Sequence, residues 1–125
     1  MIQLDTSFLI AATVASSTAY QQLKTWAAGG ESFGVSAIAW AEYLCGPLDA
    51  TAESLAQQIF PQPEPFLPGD AVVAAKLFNQ TGRRSRSMAD CMIAAVAMRC
   101  DAALATSNVA DFKPFEAFGL RLKSS

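Results

Sequence analysis

Three short apolar runs constrain the fold of this chain more than any other feature: Met1-Ile2-Gln3-Leu4, Phe33-Gly34-Val35 and Ala103-Leu104-Ala105. Each reads as a short strand, and stretches of helical periodicity fill the chain between them. Helices are expected over residues 17–28, 37–45, 50–60, 70–79 and 88–99, with another starting near Phe8 behind a Thr6-Ser7 cap. Gly29-Gly30, Gly46-Pro47 and Thr81-Gly82 supply stop signals. The connector Pro61-Gln62-Pro63-Glu64-Pro65 cannot be helical. Phe66-Leu67 is expected as a minor strand, residues 107–115 as a loop with one helical turn, and Leu120-Arg121-Leu122 as a last strand. Such alternation predicts an α/β fold with a mostly parallel central sheet flanked by helices on both faces.

At 125 residues the chain fits one domain, expected to span residues 1–125. Its hydrophobic fraction of 52% and mean hydropathy of +0.25 are high for so small a fold, so some apolar surface is expected to meet a partner or a second copy. The apolar stretch from Phe8 to Ala15 falls short of the roughly 20 residues that cross a bilayer, and no basic residue precedes it. Cys45, Cys91 and Cys100 are odd in number and form no C-x-x-C pair, which argues against a disulfide framework or a zinc site and for core filling. A cytoplasmic protein without membrane attachment is the expectation.

A net charge of −2 and a pI near 4.9 speak against general electrostatic attraction to nucleic acid, so any RNA contact must be local. Histidine is absent, which removes the usual general base and the middle member of most nucleophilic triads. Gly30-Glu31-Ser32-Phe33-Gly34 fits G-x-S-x-G, yet it precedes a strand and has no histidine to serve it.

The acids are placed in an informative way. Asp5 is the only charged side chain before Lys24, Glu42 the only one between Phe33 and Leu48, and Asp90 the only one between Ser87 and Met98. Isolated carboxylates inside apolar segments call for a cation or for exposure at element ends. Each also has a plain structural reading: Asp5 as a helix N-cap, Asp90 as the end of a Ser87-Met88-Ala89-Asp90 capping box, Glu42 on a wet helix face. One joint reading covers all three, because the carboxyl ends of parallel strands share a rim where ligands bind. Clustered carboxylates repel, and a divalent ion turns that repulsion into coordination. Oxygen donors without His or Cys suit Mg²⁺ or Mn²⁺, and such an ion activates water and polarises a phosphoryl oxygen.

Four segments carry a resemblance. Leu4-Asp5-Thr6-Ser7-Phe8-Leu9, the run from Ser36 to Glu42-Tyr43-Leu44-Cys45-Gly46, Asp90-Cys91-Met92-Ile93-Ala94-Ala95-Val96-Ala97, and Thr106-Ser107-Asn108-Val109-Ala110-Asp111-Phe112 with Gly119-Leu120 stand in one order from end to end. In that order they resemble PIN-domain ribonucleases of the VapC type, the toxin half of VapBC toxin–antitoxin pairs. The resemblance implies a PIN-like three-layer sandwich and an acidic site of Asp5, Glu42 and Asp90, with Asp5 and Asp90 as direct metal ligands. Asp111 is expected as the fourth carboxylate, although many relatives carry an acid where this chain has Asn108. Thr6, Thr106 and Asn108 are expected to place water or phosphate. A basic residue often follows the threonine in relatives, whereas Ser107 stands here, so the phosphate contact is sought in the cluster Arg83, Arg84 and Arg86, with Arg86 foremost. An Asx turn at Asn108, a helix cap at Asp111 and an Arg86–Asp90 pair remain open.

The resemblance further implies an endoribonuclease leaving 5′-phosphate and 3′-hydroxyl ends, RNA such as transfer RNA as substrate, a homodimer, and a VapB-like antitoxin that lays an apolar helix over the acidic pocket. Phe8, Trp26, Trp40 and Tyr43 suit either that surface or the core. Asp5-Thr6-Ser7 also resembles the opening of aspartate-nucleophile phosphatases, but Ser7 stands where a second Asp is needed. The rival from another class is a non-catalytic PIN-like module that binds RNA or protein.

Overall fold

In the computed structural model, the described residues are 1–124, apart from the side chain of Arg86. The expected contacts of Arg86, with phosphate or with Asp90, therefore lie outside the described residues. The chain runs β1 (Ile2–Leu4), α1 (Thr6–Ala12), α2 (Thr18–Ala28), β2 (Phe33–Val35), α3 (Ala37–Leu44), α4 (Ala50–Ile59), α5 (Pro68–Gln80), α6 (Met88–Arg99), β3 (Ala103–Ala105) and α7 (Val109–Phe112). Two 3-10 segments, Ser85–Ser87 and Lys113–Phe118, lead into α6 and follow α7.

The sheet has the order β2-β1-β3 and both pairings are parallel. Ile2, Gln3 and Leu4 lie opposite Phe33, Gly34 and Val35 on one side and Ala103, Leu104 and Ala105 on the other. Alternate strand residues point to opposite faces, and all three β1 residues are buried, so helices cover the central strand on both faces. Gln3 is the polar member of that strand, and its Nε2 donates to Met1 Sδ at 3.0 Å. A side chain at Gly34 would put its Cβ 2.5 Å from Gln3 Nε2, so the buried Gln3 amide could keep its present position only beside a glycine.

Local capping sets most helix starts. Ser17 accepts from Tyr20 N, Ser36 from Ala39 N and Asp49 from Ala52 N. Asp5, in place of the expected Thr6-Ser7 pair, caps α1. Helix α6 is buried on most of its circumference, and its alanines let α3, α5 and β3 pack closely against it. Phe8, Trp26 and Tyr43 prove to be core residues, with Phe8 and Trp26 stacked at 5.5 Å, while Trp40 is half-buried. Cys91 fills the core as expected, whereas Cys45 is exposed. Among the described residues no helix is long and apolar enough to cross a membrane.

Two expected strands are not formed. Phe66-Leu67 gives way to the start of α5: Leu67 is its N-cap, Pro68 its first residue, and Leu67 N donates to Asp70 Oδ2 at 2.9 Å. The strand-like contact falls instead at Glu64, which bridges Ser36 in parallel. Leu120-Arg121-Leu122 contributes a single parallel bridge from Leu122 to Leu104, because only one carbonyl and one amide of that tail reach β3.

Asp70 explains the first of these differences. Its buried carboxylate receives Arg99 Nε at 3.0 Å on each oxygen, and Arg99 Nη2 also donates to the Pro65 carbonyl at 2.8 Å. The pair ties the proline-rich connector to the end of α6. Arg99→Met leaves that carboxylate buried with one N–H for company and is expected to cost about 3 kcal/mol. Urea unfolding measures it; stability within about 0.5 kcal/mol of the wild type would contradict the assignment.

Candidate active site

Asp5 follows β1 directly, and its N–H donates to the Ala105 carbonyl at 3.1 Å, which sets it beside Thr106 at the end of β3. The residue is 3% exposed and its carboxylate is well supplied with donors. Phe8 N reaches Oδ1 at 2.8 Å, Ser7 Oγ lies 2.9 and 3.0 Å from the two oxygens, and Thr106 Oγ1 donates to Oδ2. The two hydroxyls are held in turn: Ser107 N donates to Ser7 Oγ at 3.2 Å, and Asn108 N to Thr106 Oγ1 at 2.9 Å. The loop after β3 is thereby fastened to the end of β1. Burial pushes the Asp5 carboxyl above its ordinary range, the hydrogen bonds from Thr106, Phe8 and Ser7 oppose it, and the Glu42 charge adds to the rise.

Glu42 reaches the same place from α3. Its helix starts at the end of β2, and Thr6 Oγ1 donates to Glu42 Oε1 at 2.7 Å. Glu42 is exposed, as a wet helix face would require, yet the surface it shares is acidic. Asp90 comes from the first turn of α6, and the expected capping box is absent because Ser87 Oγ turns back to the Arg84 carbonyl at 2.7 Å. Asp90 is pushed up to about 6, chiefly by burial, then by the charges of Asp111, Glu42 and Asp5 in that order.

Asp5, Thr6, Ser7, Glu42, Asp90 and Asn108 therefore line one cleft of about 270 Å³, closed by Ile10 and Ile93. Asp111 lies outside it, in an adjoining cleft whose wall also includes Asp90. Asn108 and Asp111 thus line different clefts that have Asp90 in common. Neither forms the cap or turn left open above: Asn108 precedes α7 without a side-chain cap, and Asp111 N donates to the Asn108 carbonyl.

The donor set is chemically suited to a hard divalent ion, being oxygen throughout. Among the described residues no three acidic or thiol side chains are gathered tightly enough to hold a metal by themselves.

The sequence pattern of the PIN domain matches residues 2–114. The chain belongs to the PIN domain family. Solved structures share the fold of this PIN domain at low identity. VapBC2 from Rickettsia felis, solved bound to a promoter DNA fragment, superposes with a TM-score of 0.75 at 21% identity, covering 98% of each chain. FitAcB from Neisseria gonorrhoeae gives 0.72 at 20%, covering 99% of this chain and 97% of that one. A toxin–antitoxin complex from Klebsiella pneumoniae gives 0.72 at 22%, covering 90% of each. No curated protein matches in sequence.

Ser7 is a residue of the candidate site that sequence reasoning missed, since its hydroxyl reads as one half of a helix cap. Its position two residues after Asp5 was the available signal, because such spacing lets a serine turn back on the carboxylate.

The raised Asp90 gives this PIN domain a pH signature in metal-free solution. A carboxyl whose folded value lies above its unfolded one binds more protons in the native state, so its contribution to stability falls as pH rises from about 4 to about 6. Asp90→Asn is expected to stabilise the protein at pH 7.5 by about 1 kcal/mol after allowance for solvent screening, and to be neutral near pH 4. Thermal melts in EDTA at the two pH values check this; an equal effect at both would remove the electrostatic cause.

Proposed function

We propose that this PIN domain is a divalent-metal-dependent endoribonuclease and the toxin half of a VapBC-type toxin–antitoxin pair. The observation that carries the reading is the convergence of Asp5, Glu42 and Asp90, from the starts of three different helices or their interior, on one cleft, with Asp111 across from it. Family membership and the toxin–antitoxin complexes among its structural neighbours support it.

Asp5 and Asp90 would hold the Mg²⁺ or Mn²⁺ ion directly, with Glu42 and Asp111 orienting water or a second ion. When bound, the ion supplies charge neutralisation at the phosphate and a more acidic water. Ser7 and Thr106 fix the Asp5 carboxylate in one orientation, so that no rotamer search precedes each turnover. Thr6 orients Glu42 in the same manner, and Asn108 presents an amide that can donate to phosphate or water. Hydrolysis breaks the P–O3′ bond and joins the water oxygen to phosphorus, leaving 5′-phosphate and 3′-hydroxyl ends.

The antitoxin is read as an apolar segment on a groove of about 340 Å³ between α1, α2 and α4, where Leu55 and Ile59 are more than half exposed. Helix α1 lines both that groove, through Leu9 and Ala12, and the acid cleft, through Ile10. A chain crossing α1 would cover both. A homodimer in the cytoplasm and transfer RNA as substrate complete the reading, the dimer being testable by size measurement of the protein alone.

Purified protein is expected to cut RNA with Mg²⁺ and to stop in EDTA. Asp5→Asn and Asp90→Asn should each lower the rate by more than about 100-fold, while Ser7→Ala and Thr106→Val, which remove only partners of a ligand, should cost about 10–100-fold. Cleavage that survives both aspartate changes would place the activity elsewhere.

A further inference from the structure

Beside the acid cleft lies the second one, of about 330 Å³, bounded by the turn after α5, the start of α6 and the segment from α7 onward. Thr81, Arg84, Ser87, Asp90, Asp111 and Phe115 are among its walls. Asp90 is common to both clefts, so whatever occupies the second touches the group at the centre of the first. We infer that this cleft seats the nucleotide next to the scissile bond and that Arg84 is the positioning residue holding its phosphate. The inference rests on the nuclease reading above and adds to it a subsite and a residue.

Size and charge support it. A volume of this order is at the lower end of the roughly 300–1,000 Å³ of small-ligand sites, which suits one nucleotide and not a longer stretch. Arg84 shares the walls with Asp90 and Asp111, yet among the described residues it makes no ion pair with either. A cation and two carboxylates in the wall of one cleft, not neutralised by each other, give it a bipolar character: the anionic oxygens of a phosphate suit the guanidinium, and a divalent ion the acids. The chain as a whole carries a net charge of −2, so a locally placed cation matters more for holding a phosphate than it would on a basic surface.

The two described arginines of this loop divide clearly. Arg83 has a positive φ of 55°, its Nη1 donates to Asn79 Oδ1, and its guanidinium lies 5.7 Å from the Phe78 ring centroid, so it is already engaged on α5. Arg84 has its carbonyl bound twice, by Ser87 N at 2.9 Å and Ser87 Oγ at 2.7 Å. That anchors its backbone in the wall of the cleft, while its exposed guanidinium makes no hydrogen bond or ion pair among the described residues. Ser87, which fails to cap α6, thus has a use in fixing Arg84.

The test uses the whole protein and a short fluorescein-labelled single-stranded RNA of mixed sequence, with binding followed by anisotropy in EDTA. Arg84→Ala is expected to weaken binding about tenfold and alike for different sequences, and to make the slope of log affinity against log salt shallower by about 0.7. Arg84→Lys should recover part of the loss, because a point charge replaces the fork. Arg83→Ala should change neither quantity. Arg84→Ala binding like the wild type, or Arg83→Ala losing as much, overturns the assignment, as does a wild type that binds no RNA. Arg84-dependent binding by a wild type that cuts nothing in Mg²⁺ overturns the nuclease reading and leaves the phosphate contact standing. Placement is read from cleavage of RNAs carrying one methylphosphonate beside the cut. The Arg84→Ala defect should vanish when the phosphate it holds is already neutral, and a defect that persists with either neighbour neutralised rules out the flanking subsite.

Discussion

The parallel pairing of β1 with β3 is the constraint on which the rest of the site depends. With Leu4 opposite Ala105, the next residue of each strand meets the other at the carboxyl edge, and Asp5 finds Thr106. A slip of one residue would turn Thr106 to the opposite face and leave a nearly inaccessible carboxylate short of a donor. The core fixes the same register independently, since Ile2, Leu4, Leu104 and Ala105 are all buried. Packing and polar satisfaction therefore select one alignment together, and the acidic rim is a consequence of the sheet that carries it.

That rim is held in electrostatic tension. Asp90 feels Asp111, Glu42 and Asp5 at once and is pushed up toward neutrality, while Asp5, more deeply buried, is steadied by three hydrogen-bond donors. Among the described residues the difference is one of supply: Asp5 lies where a helix N-terminus and two hydroxyls converge, whereas the Ser87 hydroxyl near Asp90 donates to the Arg84 carbonyl. A carboxylate to which no donor is directed among the described residues, set among other carboxylates, is the one whose state responds most to an arriving cation. On this account Asp90 is the responsive member of the group and Asp5 the fixed one.

Much of this arrangement is legible in the sequence because the signals are local. The strands at Ile2–Leu4, Phe33–Val35 and Ala103–Ala105, and the caps at Ser17 and Ser36, follow from short apolar runs and from side chains that bond their own neighbours. The lone acids stood out for a similar reason, each being a single charge in an apolar stretch. What was not legible depends on distance in sequence. Phe66-Leu67 looked like a strand because nothing nearby reveals that Asp70 accepts from Leu67 and is neutralised by Arg99, 29 residues away. The tail at Leu120–Leu122 has strand-like alternation, yet β3 offers it only one bridging position. Ser7 bonds both Asp5 next door and the Ser107 amide 100 residues on, and only the first of these can be read from spacing.

The choice between Asn108 and Asp111 was undecidable from spacing for a physical reason. Residues three apart at a helix start lie on nearly one face, so both can approach a common neighbour. The structure separates them by cleft, Asn108 with Asp5 and Glu42, Asp111 with Arg84, and joins them again through Asp90. An amide in the inner cleft adds a donor and an acceptor without a fourth negative charge where three already press on one another. The fourth charge sits one step outward, where it is exposed to solvent, yet it remains the strongest of the carboxylates acting on Asp90. Distance from the inner cleft and electrostatic membership of the site are therefore separate properties, and Asp111 has the second without the first.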